Sequence, residues 1–303
     1  MDRRTFLKIM GTGVASATAG NLLAPGRSEA GERLDGKEFY GILVDTTRCI
    51  GCRLCEKACA EVNGLPVPDI SESANQTVLE SVRHTTDKQY TVTNKYETTK
   101  GTVFVPKRCM HCNHPGCVSS CPVNAMKKRP TGHVTWDSNC IGCRLCMVSC
   151  PFDIPKFEYD KAIPNIQKCN LCWDRFNQGV LPACVEVCPT QALMAGTRRQ
   201  ILDEGKRRIS GAPDRYIDHI FGEYEAGGTS HIYLSEVPFD QIGFRKDMGT
   251  KPYPEYSAGY LRAVPVIATL TPLLMLGIGV AVRMGREKQI EKHEEKQDAK
   301  GKH

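Results

Sequence analysis

The chain is short of the large side chains from which most protein cores are built: aromatic residues make up 7% of its 303 positions, and only two are tryptophan. A core so poor in rings needs another source of cohesion, and thiolate-bound metal contributes folding free energy directly. No glycine-rich nucleotide loop, no Ser-His-Asp grouping and no set of molybdenum ligands stands out. These absences exclude nucleotide-driven, acyl-transfer and molybdenum chemistry as activities seated on this chain. The formal charge of +6 is modest, and the lysines and arginines do not gather in an aromatic-laced patch, so no nucleic-acid partner is expected.

Cysteine is what the chain has in abundance. All 16 fall into four groups of four: Cys49, Cys52, Cys55, Cys59; Cys109, Cys112, Cys117, Cys121; Cys140, Cys143, Cys146, Cys150; and Cys169, Cys172, Cys184, Cys188. A disulfide scaffold is the ordinary reading of an exported, cysteine-rich chain, but disulfide partners are usually distant in sequence, whereas these cysteines come in tight local runs. Zinc would suit the fourth group taken alone; beside three other groups it does not. Residues 140–151 read Cys-Ile-Gly-Cys-Arg-Leu-Cys-Met-Val-Ser-Cys-Pro, the run by which bacterial ferredoxins hold a 4Fe-4S cluster, and the first seven residues recur unchanged at 49–55. Four 4Fe-4S clusters are therefore expected.

In two-cluster ferredoxins the fourth cysteine of a run, before the proline, ligates the other cluster. Applied here, Cys49, Cys52 and Cys55 join Cys188 (the first set); Cys109, Cys112 and Cys117 join Cys150 (the second); Cys140, Cys143 and Cys146 join Cys121 (the third); and Cys169, Cys172 and Cys184 join Cys59 (the fourth). Cys59 is followed by Ala60 instead of proline, so the backbone there can continue a helix. Gly51 and Gly142 let the backbone approach a cluster closely, and Ile50 and Ile141 are expected to cover it. Since no ligand is missing, His111 and His114 are read as bystanders at the surface or beside a cluster. Arg53, Arg108, Arg144 and Lys168 either raise potentials through their charge or are merely solvated or salt-bridged. Trp173 is read as packing.

The rest of the chain frames these groups. Residues 1–30, with Arg3-Arg4-Thr5-Phe6-Leu7-Lys8 ahead of a weakly apolar run, resemble a twin-arginine export signal. Residues 39–45 read as a first strand. The cysteine-free insertion 62–107 carries an alternating tract at 90–93 and a second at 102–105, which predicts a hairpin that covers clusters or meets a partner. The second and third groups form one dicluster unit, 109–151, inserted into another made of the first and fourth; Cys188-Pro189-Thr190-Gln191-Ala192 echoes Cys121-Pro122-Val123-Asn124-Ala125. A helix is predicted over 197–209 with Thr197 as N-cap, and a strand over 231–234.

Residues 263–282 hold 20 positions without a charge, enough to span a bilayer as a helix, and Tyr253, Tyr256 and Tyr260 lead into them. Pro265 and Pro272 inside the run favour packing against a partner helix. The basic tail beyond it places the C-terminus in the cytoplasm by the positive-inside rule. The fold expected is α+β: two interleaved bacterial dicluster-ferredoxin-like units over 31–258 with an inserted hairpin region, one transmembrane helix at 259–283 and a charged tail at 284–303.

Several stretches resemble one family: Cys109-Met110-His111-Cys112, Cys121-Pro122-Val123, Ala125-Met126-Lys127-Lys128, Leu181-Pro182-Ala183-Cys184-Val185-Glu186-Val187-Cys188-Pro189, Gly196-Thr197-Arg198 and Gly227-Gly228-Thr229. Together with the paired arginines and the single C-terminal span, they are similar to the four-cluster iron-sulfur subunits of membrane-bound respiratory oxidoreductases. Such subunits serve formate dehydrogenase-N, dimethyl sulfoxide reductase and the periplasmic hydrogenase-2 type. In nitrate reductase relatives a tryptophan replaces one cysteine of the third group; here Cys143 is present, which implies four complete clusters. An export signal on this chain tilts the likeness to the hydrogenase type. The resemblance implies an electron-transfer subunit without a substrate-converting centre, on the periplasmic side of the inner membrane. Its partners would be a catalytic subunit, a nickel-iron hydrogenase, and a quinone-reactive or cytochrome b membrane subunit. The first and fourth sets would lie towards the catalytic subunit. A formate dehydrogenase or quinol-cytochrome c complex is the alternative, and a structural or cluster-assembly protein is an alternative of another class.

Overall fold

The computed structural model describes residues 38–300; the segment read as an export signal, 1–30, lies outside them. Strand β1 (Tyr40–Asp45) is the axis of the main sheet. Its Ile42, Leu43 and Val44 are wholly buried, as a strand covered on both faces requires. On one side β8 (Leu193–Thr197) runs antiparallel, Tyr40 opposite Thr197; on the other β9 (His231–Leu234) runs parallel, Ile42 opposite His231. This sheet ties together segments some 150 to 190 residues apart in the chain. At Gly41 a Cβ would lie 1.9 Å from the Ser230 backbone oxygen, so β1 and β9 can approach only because no side chain intervenes. Gly41→Ala should cost about 1–3 kcal/mol through this overpacking, read as a lower urea midpoint with unchanged slope.

Helix length around each cysteine group follows proline. Helices α3 (Gly116–Ser119), α4 (Leu145–Val148) and α6 (Ala183–Glu186) have four residues each, and each is followed by a Cys-Pro pair. The proline can neither donate to the helix ladder nor leave its predecessor comfortable in helical geometry. Where Ala60 follows Cys59, α1 (Leu54–Val62) runs on through the cysteine for nine residues, as the missing proline led one to expect. The repeated heptapeptide also repeats in backbone: Gly51 and Gly142 have φ of +72° and +69°, Arg53 and Arg144 of +59° and +61°. Three residues after each Cys-Pro cysteine, Asn124, Asp153 and Gln191 all have φ of +52°.

The insertion forms α2 (Glu72–Leu79) and the hairpin of β2 (Val92–Thr98) and β3 (Gly101–Lys107), in register from Val92 opposite Lys107 to Thr98 opposite Gly101. It packs over the first cysteine group. A Cβ at Gly51 would meet the Phe104 ring at 2.5 Å, and Glu56 on α1 is held from the insertion by Arg83, Gln89 and the Thr93 N–H. Short pairs β4 (Met126–Lys128) with β5 (Val134–Trp136), and β6 (Lys156–Phe157) with β7 (Ile166–Gln167), carry a second core of Met126, Val134, Phe157 and Ile166 around Cys117 and Cys146. After α5 (Trp173–Asn177), helix α7 (Arg198–Gly211) begins with a capping box between Thr197 and Gln200 and seals the other side of the sheet with Ile201 and Leu202.

The C-terminal segment departs from expectation in its extent. Tyr253–Lys300 is a single helix, α8, so the tyrosine-rich approach and the basic tail continue the apolar run without a break. Its stretch Tyr253–Glu287 is long and apolar enough to cross a membrane, and no part of its most apolar window is buried by the rest of the chain.

Candidate iron-sulfur cluster sites

None of the 16 cysteines is in a disulfide. Burial and mutual proximity sort them. The Cys112 thiol is pushed well above the ordinary cysteine value by burial, then by Cys150, Cys117 and Cys109. Cys146 is pushed up to about 11 by burial, Cys140, Cys143 and Cys121. Burial raises Cys49 to about 12, with Cys55, Cys52 and Cys188 adding to it against a stabilising Gly51 N–H. Cys59 is raised to about 12 by burial and by Cys184 and Cys172, and Cys169 is raised by burial, Cys59, Cys109 and Cys172. Each triplet thus has the fourth cysteine of its partner run among its neighbours, and Cys169 has Cys109 as well. Buried thiols this basic are protonated near neutral pH unless a metal displaces their protons.

The electrostatic couplings between the sets run in a line. Cys55 of the first set feels Cys184 of the fourth, Cys169 of the fourth feels Cys109 of the second, and Cys117 of the second feels Cys146 of the third. Cys143, in the third set, is the exposed cysteine at one end. Gly116, Ser119, Ser120 and Ser149, beside Cys117 and Cys150 of the second set and Cys121 of the third, border a groove with Tyr253, Pro254 and Ser257 at the start of α8.

The residues present fit clusters. Cys59, Cys169, Cys172 and Cys184 line one pocket, and Cys121, Cys140, Cys143 and Cys146 line another whose remaining wall is mostly apolar. Among the described residues no three His, Cys, Asp or Glu side chains are arranged to hold a single metal ion. Four soft thiolate donors around one pocket, with no three of them arranged on a single ion, suit a 4Fe-4S group rather than one zinc.

The cations near the thiols divide in two. Arg108 is buried, with Nη1 2.8 Å from the Cys184 sulfur. Burial works against its charge, yet Cys184 and Cys55 more than offset this and raise its pKa, placing a permanent positive charge between the first and fourth sets. Lys168, also buried, favours the thiolates of Cys117 and Cys150. Arg53 instead pairs with Glu56 at 3.0 Å, and Arg144 lies over the rings of Phe157 and Tyr159 at 4.7 and 5.2 Å. One expectation needs correcting. Ile50 and Ile141 are 59% and 64% exposed, so they rim the sites from outside and do not bury them. His111 is fully buried and accepts from the Val134 N–H through Nδ1; only His114 is at the surface. Trp173 does pack, edge-on to His133 at 5.0 Å.

Sequence reading passed over His231. It opens β9, is wholly buried and sits in the wall of the fourth set's cavity. The available signal was a histidine heading an otherwise apolar strand.

Two family models, each described as a 4Fe-4S dicluster domain, match residues 48–125 and 101–198. A Nitratidesulfovibrio vulgaris protein is 45% identical over 95% of this chain and 78% of its own length. The Hydrogenase-2 operon protein HybA of Escherichia coli O157:H7 is 33% identical over 90% of this chain and 95% of its own. The nitrate-inducible formate dehydrogenase iron-sulfur subunit of Escherichia coli K12 is 32% identical over 86% and 90%. With 16 cysteines in two dicluster domains, the chain holds four 4Fe-4S clusters, and it belongs to the family of iron-sulfur electron-transfer subunits of respiratory oxidoreductases, close to HybA.

Proposed function

We propose that this chain relays single electrons through its four clusters between a catalytic subunit, a nickel-iron hydrogenase, and a quinone-reactive or cytochrome b subunit in the membrane. The crossed sets are the ligand sets, so unit 109–151 is interleaved with a unit made of the first and fourth groups. Bound 4Fe-4S clusters supply one-electron carriers; the chain supplies their spacing, their shielding and the charges around them. The observation that carries the reading is the run of electrostatic couplings first, fourth, second, third, which supports a wire over four separate structural sites. Ser120, next to Cys121 of the third set, lines the groove at the start of α8, which supports electrons leaving or entering through the third set at the membrane. Residues 259–283 cross the bilayer, the basic tail stays in the cytoplasm and the cluster domain faces the periplasm, exported through the paired arginines. The relatives' names divide between hydrogenase and formate dehydrogenase; the export signal on this chain favours the first.

The test is a complex purified in mild detergent. Dihydrogen should reduce all four clusters reversibly and formate should not; the reverse would assign the chain to a formate dehydrogenase, and clusters that no substrate reduces would mark a scaffold. Cys143→Ser should leave reduction of the first and fourth clusters by dihydrogen intact while stopping quinone reduction. Unchanged quinone reduction would overturn the order of the wire.

A further inference from the structure

We propose that His231 donates a hydrogen bond to the cluster of the fourth set and thereby raises that cluster's reduction potential. This rests on the ligand sets proposed above. His231 is pinned by its backbone: it lies opposite Ile42 in the β1–β9 register, and its N–H donates to the Met110 carbonyl at 3.1 Å. The ring is wholly buried and faces the cavity lined by Cys59, Cys169, Cys172 and Cys184. Among the described residues neither Nδ1 nor Nε2 has a hydrogen-bond partner. An imidazole carries at least one N–H whether neutral or charged. Folded proteins rarely leave such a buried donor without an acceptor.

The neighbouring ring cannot serve. His111 stands 5.3 Å away between centroids, but its Nδ1 lone pair is already taken by the Val134 N–H. Its remaining nitrogen is therefore an N–H, itself without a partner, and a donor cannot accept from a donor. What remains in front of His231 is the cavity and the sulfur it would hold. Adding an electron to a cluster adds negative charge to its sulfurs, so an N–H donor favours the reduced form more than the oxidised one and moves the potential upward. Arg108, at 2.8 Å from the Cys184 sulfur, is a second donor to the same site and is unaffected by a change at His231.

The experiment is a dithionite titration of the detergent-purified four-cluster protein, followed by low-temperature EPR. His231→Phe keeps a ring but removes the donor. One cluster's one-electron reduction constant should fall about tenfold, a shift of ~59 mV to the negative, while the other three hold. Cys59→Ser should move that same midpoint and so identify the cluster. His231→Gln, which restores an N–H, should recover most of the shift. An unmoved midpoint in His231→Phe, or a Gln variant no better than Phe, overturns the proposal. Should the Phe variant fail to assemble, wild-type protein labelled with ¹⁵N-histidine decides by pulsed EPR. A histidine nitrogen and an exchangeable proton coupled to the cluster that Cys59→Ser moves support the bond; their absence overturns it. Fewer than four clusters in the wild type, or a Cys59→Ser effect on the first set's cluster, would strike the ligand assignment instead.

Discussion

Cys188→Ala should strip the chain of the cluster held by Cys49, Cys52 and Cys55 and leave the one at Cys169, Cys172 and Cys184 in place. The reason lies in the main sheet. Asp45, at the end of β1, donates its N–H to the Ala192 carbonyl at 2.8 Å. Four residues beyond Asp45 comes Cys49, and four before Ala192 comes Cys188, so the β1–β8 pairing delivers Cys188 to the first triplet. Iron content should fall by about a quarter, with one set of EPR features missing. Because cluster binding is folding free energy, α1 and the β2–β3 hairpin above it should also lose hydrogen-exchange protection. Loss of the fourth set's cluster instead would mean that each run ligates its own cluster and that the crossed reading fails.

Glu56→Ala should be the most destabilising change away from the cysteines, at about 3–5 kcal/mol. Glu56 is wholly buried on α1, next to Cys55, and its carboxylate takes Arg53 at 3.0 Å, Arg83 at 2.6 Å and the Thr93 N–H at 2.5 Å. Truncation leaves the Arg53 guanidinium buried without its counter-charge and the Thr93 donor unsatisfied, and both terms point the same way. The expected readout is bleaching of the clusters at a clearly lower temperature, since unfolding of such a protein is governed by rate once iron is lost. Arg53→Met added to Glu56→Ala should recover part of the loss, because the pair then disappears together. A Glu56→Ala protein within about 1 kcal/mol of wild type would remove Glu56 from its place as the anchor of the insertion.

Much of the local structure is legible in the chain because its causes are local. The Thr197 cap and the alternating tracts at 90–93 and 102–105 each depend on residues within a few positions, and α7 and the β2–β3 hairpin form there, with β2 running on past the first tract to Thr98. The missing proline after Cys59 likewise lengthens α1 by the steric rule alone. Burial is another matter. Ile50 and Ile141 follow cysteines in apolar-looking runs yet face outward, because in an irregular loop no periodicity says which way a side chain points.

The sequence by itself determined the chemistry: 16 cysteines in runs whose spacing suits 4Fe-4S clusters, repeated so closely that the backbone repeats with them. That is possible because three of each cluster's four expected ligands come from one short segment. Only the tertiary structure decided what surrounds those thiols. It set Arg108 against Cys184 while turning Arg53 to Glu56, and it carried His231, from a strand more than 170 residues beyond Cys59, into the wall of the fourth cavity. A charge or a donor acts on whatever the fold brings within a few ångströms, and for these residues that neighbour is set by strand pairing across most of the chain.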